Sequence, residues 1–176
     1  MLFARLKELA TEVQRVHVVY NPKQSRWLIR LAQDAARQQH LELHTQEAHD
    51  LKTAIQCYQT VLAGADEMRD VIWLPQDSIT ADETVILPLI LRESWNRRLL
   101  VFSSSFAHVK RGVLFSLYPD NVGLGRNLAG SALHYLKAGR VQVRGLSPLQ
   151  NVQLAINLRT AKHLGLRFSS EQESAF

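Results

Sequence analysis

From residue 16 to residue 102 the chain alternates short, β-branched apolar runs with longer segments whose apolar residues recur at helical spacing. The strand-like runs cover 16–20, 41–45, 71–74 and 99–102. Between them, Leu28, Leu31, Ala32 and Ala35 form one helical stripe behind the candidate N-cap Ser25. Leu51, Ala54, Ile55, Tyr58, Val61 and Leu62 form a second behind Asp50, and a third helix is expected over 82–95. A βαβαβαβ order leaves few folds open. Helical crossovers make neighbouring strands parallel, and a parallel sheet needs cover on both faces. The expected class is α/β: a Rossmann-like parallel sheet with helices on both faces.

Outside that alternation, Leu2, Leu6, Leu9 and Val13 mark a leading helix. After residue 107 the rhythm changes to a strand over 113–117, a Tyr-Pro-Asp-Asn turn over 118–121, and a long helix over 122–138 ended by Gly139. A linker with Gly145 and Pro148 leads to a strand over 152–156 and a short helix over 159–164. The expected organisation is an α/β domain over 1–117, a helix and linker over 118–151, a returning strand and helix over 152–168, and a loose tail over 169–176.

Composition narrows the function. The 176 residues are 46% hydrophobic, enough for a sizeable core. Cys57 is the single cysteine, so no internal disulfide or thiolate metal site can form. Charges at Arg5, Lys7 and Glu8 interrupt the apolar core a secretory signal needs, and no apolar run nears the about 20 residues that span a bilayer. As written the chain reads as cytoplasmic; a piece of an exported protein would be periplasmic. Residues 1–85 hold 9 Lys or Arg against 12 Asp or Glu, whereas 86–176 hold 12 against 4. C-terminal arginines such as 92, 97, 98, 126, 140, 144, 159 and 167 are scattered without interleaved aromatics, so no base-stacking platform and no nucleic-acid partner is expected.

In open parallel sheets ligands sit at the carboxyl ends of the strands. Three polar loops qualify: Asn21, Lys23, Gln24 and Ser25 after the first strand, Gln76, Asp77 and Ser78 after the third, and Ser103, Ser104 and Ser105 after the fourth. The first leads into a helix whose free N–H groups would favour an anionic ligand group. Asp77 reads either as a ligand carboxylate or as a cap or Asx-turn residue. Gly123-Leu-Gly125-Arg-Asn-Leu-Ala-Gly130 has neither the spacing nor the preceding strand of a dinucleotide fingerprint, and reads as close helix packing. The three serines near His108 lack a GxSxG elbow and a sequence-adjacent carboxylate, so no enzyme is expected. The seven histidines show no HxH or HExxH spacing. Neither a metal nor a cofactor is expected.

The ordered segments VHVVYNPKQS, DVIWLPQDS, VFSSSFAHVKRGVLFSLYPDNVGLGRNLA and NVQLAINLRTAKHLGL resemble the C-terminal half of ABC transporter substrate-binding proteins of the tryptophan/tyrosine type. The resemblance runs from about Leu6 to Leu166, and the VKRG-to-GR segment and NLRTAKHLG are its specific parts. It implies two α/β lobes of the type I periplasmic binding protein fold, closing on a small solute. Residues 21–25, 74–78 and 103–105 would be ligand-facing loops of the second lobe. In the family the middle loop tends to read proline-threonine-aspartate-asparagine, so Asp77 is kept while Gln76 and Ser78 depart. The 118–151 segment would be the interlobe helix and linker, with VKRG a turn after the ligand loop. The start, LFARLKEL, resembles the helix after the first interlobe crossing, which implies a fragment or truncated relative. The implied role is to bind an amino-acid-like or polar solute for an ABC permease. A stand-alone interaction or regulatory module is the alternative, and the apolar stripe of the 122–138 helix predicts a homodimer.

Overall fold

A strand covered on both faces has no outward side, and β3 (Asp70–Leu74) and β4 (Leu100–Ser103) are buried at every position. They sit at the centre of a six-stranded sheet of order β2-β1-β3-β4-β5-β6 in a computed structural model that describes residues 1–138, 149, 151–166 and 168. β1 (Arg15–Tyr20) lies between β3 and the edge strand β2 (Glu42–Glu47), which has no buried residue. These four strands and β5 (Phe115–Pro119) run parallel. The last strand, β6 (Val152–Ile156), pairs antiparallel with β5, so the wholly parallel sheet expected from sequence holds for five strands of six. Of the expected 118–151 helix and linker, residues 139–148 and 150 lie outside the described residues, as does the tail 169–176.

Side chains along each strand divide between two helical layers. Val16, Val18, Val71, Trp73, Leu100 and Phe102 pack with α1 (Leu2–Leu9), α2 (Pro22–Gln38) and Ala161 of α7 (Leu158–His163). Val19, Ile72, Leu74 and Val101 pack with α3 (Leu51–Gly64) and α4 (Ile86–Arg97). The chain steps from β1 outward to β2, then returns past β1 to β3 and beyond. Helices therefore leave β1 and β3 toward opposite faces, and the crevice between those strand ends is the sheet's switch point.

Two local readings change. The VKRG segment is the last turn of a helix, α5 (Phe106–Arg111), which Gly112 ends at φ 125°, a conformation side chains disfavour. The strand placed at 113–117 runs to Pro119, past the expected boundary at 117, and Tyr118 and Pro119 belong to it rather than to a turn. α6 (Asn121–Ala138) follows, and its Val122, Leu128, Leu133 and Leu136 are exposed.

Candidate functional site

The three sequence-predicted loops meet at the carboxyl edge of the sheet, and a buried carboxylate joins two of them. Asp77 is 5% exposed. Its Oδ2 accepts the Asn21 N–H at 2.7 Å and the Ser25 hydroxyl at 3.1 Å, while Oδ1 accepts the Ile79 and Thr80 N–H groups, each at 3.0 Å. Four donors fill the carboxylate's capacity. Asp77 thus holds the turn after β3 and clamps it to the start of α2. It does not stand exposed in the loop, as a ligand-facing carboxylate would.

The same geometry overturns the expectation of free N–H groups at the start of α2. Asn21 donates to Asp77, Pro22 has no N–H, Lys23 donates to Asn21 Oδ1 at 2.9 Å, and Gln24 and Ser25 donate to the Asn21 carbonyl. The anion attracted to this helix end is the protein's own Asp77. A second tie lies outside it: Gln24 Nε2 donates to Ser78 Oγ at 3.0 Å, and the Ser78 N–H donates to Gln24 Oε1 at 3.1 Å.

The serine loop divides its roles. Ser103 is fully buried, and its Oγ lies 2.8 Å from His108 Nδ1, 3.2 Å from the Leu74 carbonyl, and accepts the Ser105 N–H at 3.0 Å. One hydroxyl proton can serve His108 or Leu74, not both. Glu83 Oε1 lies 3.7 Å from His108 Nε2 and favours the tautomer protonated there, leaving Nδ1 to accept from Ser103. Ser104 Oγ accepts the Trp73 indole N–H at 3.0 Å, and Ser105 is half-buried at the rim.

Between these loops lies an open cavity of about 520 Å³ whose lining includes Gln24, Gln76, Asp77, Ser78, Ser105 and His108. Asn21, Ser25 and Ser103 are buried behind it, and Lys23 is exposed at the first turn of α2. Sequence reasoning missed Asp82, Glu83 and Thr84 in the lining, having placed them in a helix. Instead Asp82 Oδ1 accepts the Thr84 and Val85 N–H groups in a turn before α4. The Thr84 hydroxyl and these N–H groups hold the Asp82 carboxyl below its ordinary range, so it is ionised at neutral pH. Asp77, Asp82 and Glu83 line this cavity and, among the described residues, no Lys or Arg does, so its character is acidic.

Burial pushes the His108 imidazole below its ordinary pKa, a shift that Glu83 partly opposes. Burial does the same to His17 in β1, against the pull of Asp70. Both histidines bind protons more readily unfolded than folded, so their contribution to stability is complete above the unfolded pKa and is lost as pH falls below it. Urea unfolding should show stability falling between about pH 7 and pH 5. His108→Asn, which keeps an acceptor for Ser103, should flatten part of that slope and leave the part due to His17. An unchanged slope in the variant would refute the assignment to His108.

A mixed α/β lobe with its ligand edge at a switch point is the architecture of periplasmic-binding-protein lobes. Residues 4–173 match the family described as ABC transporter substrate binding protein, and the chain belongs to that family. Among curated proteins there is no match. Three solved structures share the fold. A conserved domain protein from Vibrio cholerae O1 biovar El Tor is 22% identical with a TM-score of 0.69, over 98% of this chain and 57% of that one. An ABC domain in complex with L-Trp from Streptococcus pneumoniae is 18% identical with a TM-score of 0.71, over 99% and 57%. A ligand-free, open substrate-binding protein with adhesive properties from Clostridium difficile is 17% identical with a TM-score of 0.74, over 97% and 56%. The chain thus spans little more than half the length of each.

Proposed function

We propose that this chain is the second, C-terminal lobe of a substrate-binding protein of the tryptophan/tyrosine type, holding an amino-acid-like solute at the carboxyl edge of its sheet for an ABC permease. The observation that carries this reading is the acidic cavity framed by three loops, two of which Asp77 and the Gln24–Ser78 pair hold together while Ser103 and Ser104 tie the third to the Leu74 carbonyl. Asp82 and Glu83 suit a solute's ammonium group, and Gln76 and Ser105 offer hydrogen bonds. Lys23 suits its carboxylate. The hydrogen bonds of the buried Asn21, Ser25, Asp77 and Ser103 and of the half-buried Ser104 shape the loops. The bound L-Trp in the Streptococcus structure supports this solute class. We read the role as binding without catalysis: the Ser103–His108–Glu83 chain is ordered like a catalytic triad, but a fully buried Ser103 hydroxyl has no route to a substrate. A thermal-shift screen of L-amino acids tests the reading. A solute at a hundredfold excess over its Kd adds about 2.7 kcal/mol to stability. A rise in Tm that Glu83→Gln removes supports it, and a rise that survives this variant opposes the assigned cavity.

The reading extends to assembly. Val122, Leu128, Leu133 and Leu136 of α6 are all more than half exposed. Each large apolar side chain gains about 1.5–3 kcal/mol on full burial. Gly125 and Ala129, one turn apart, would let a second helix approach closely, and the only charges on α6 are Arg126 and Lys137. In the chain as given, two copies would pair across these helices with two-fold symmetry. Light scattering should return about twice the 20.0 kDa monomer mass, and Leu128→Glu should restore the monomer. A monomer at micromolar concentration, or a dimer untouched by Leu128→Glu, refutes it.

A further inference from the structure

We propose a second binding site, for a small oxyanion such as a phosphate or a carboxylate, at the edge of the sheet opposite the solute cavity. Leu99, which precedes β4, and Asn157, which follows the antiparallel β6, place it there. A cavity of about 250 Å³ opens between the ends of α4 and α5 and the short helix α7, and shares no lining residue with the solute cavity.

Lys110, Arg111 and Arg159 line it together, with no Asp or Glu in the lining among the described residues. Among the described residues the only carboxylate within 4 Å of any of the three is Glu83, whose Oε2 is 3.4 Å from Arg111 Nη1. Cations around one cavity repel one another, and an anion entering between them adds an attraction to each; without one, the Lys110 ammonium rests 4.9 Å from the ring centroid of Phe106, outside the lining. Arginine presents paired N–H groups that match the oxygens of phosphate or carboxylate.

The walls are held in place without a ligand. The Trp95 and His163 rings stack with centroids 3.7 Å apart and planes within 5°, and His163 Nε2 donates to the Trp95 carbonyl at 2.8 Å. The Arg159 guanidinium lies 5.6 Å over the Trp95 ring, which orients the cation. Thr160 Oγ1 donates to the Gly112 carbonyl at 2.8 Å and Asn157 Nδ2 to the Val109 carbonyl at 2.9 Å, tying α7 to the end of α5. Size sets the ligand class. Sites for larger organic ligands start near about 300 Å³, so the space suits phosphate or a short phosphorylated or carboxylated molecule and not a nucleotide. The strong excess of cations in the C-terminal half of the sequence, which no nucleic-acid pattern explains, has a local purpose here.

The test is an amide NMR titration of the full chain at constant ionic strength, with inorganic phosphate in one arm and malonate in the other. Saturable shifts centred on Gly112, Arg159, Thr160 and His163, with the loops after β1, β3 and β4 unmoved, are expected in at least one arm. Lys110→Gln with Arg159→Gln should weaken that binding about tenfold or more. Saturation with phosphate alone identifies a phosphate site, and saturation with malonate alone a carboxylate site. Shifts that never saturate in either arm, that spread over all cationic surfaces, or that persist in the double variant overturn the proposal. Loss of solute binding at the other edge leaves this result unaffected, so the two readings fail separately.

Discussion

Asp77→Ala should lower the stability of the fold by about 3–5 kcal/mol, seen in urea unfolding as a lower midpoint with an unchanged slope. The substitution removes the acceptor of three N–H groups and one hydroxyl, and Asn21, Ser25 and Thr80 are among the most buried polar residues of the protein. A buried donor left without a partner costs about 1–3 kcal/mol, and the four losses overlap because they share one carboxylate. Asp77→Asn keeps one oxygen acceptor and should lose less. The variant should also loosen the loops after β1 and β3 together, since Asp77 is their common support. A loss below about 1 kcal/mol would mean that these loops are held by something else.

Phe102→Ala should cost about 3–5 kcal/mol, the range for emptying a large aromatic from a core that cannot collapse around the gap. Phe102 is fully buried. Its ring stacks on Phe115 at 5.1 Å and on Trp73 at 6.5 Å, and meets the edge of Phe3 at 6.0 Å. Those contacts join β3, β4, β5 and α1, so hydrogen exchange at residues 2–9 should quicken in the variant more than exchange in α3, which packs on the other face. Equal loosening of both layers would contradict the division of the core into two clusters.

The parallel centre of this fold is readable because β-branched runs such as Val16–Tyr20 and 71–74 can be buried on both faces only inside such a sheet. Strand direction is another matter. β6 has an apolar pattern that suits either orientation, and only its pairing with β5 makes it antiparallel. α5 is six residues long, too short for helical periodicity to show, and its Lys-Arg-Gly end imitates a turn. Sequence placed the three polar loops at strand ends but not the direction in which each side chain points. Asp77 finds its partners 56 and 52 residues earlier, and His108 meets Glu83 across 25 residues of chain. Such pairings follow from the strand order β2-β1-β3-β4, which no local pattern encodes.

The central claim is that the edge joined by Asp77 receives a small amino-acid-like solute. Amide NMR spectra of the full chain, recorded with and without a mixture of the standard L-amino acids, test it most directly. The account predicts saturable shifts confined to residues 21–25, 75–84 and 103–108, reproduced by one or a few members of the mixture added singly. Spectra that do not change at all, or saturable shifts that fall elsewhere and leave these three loops unmoved, would contradict it.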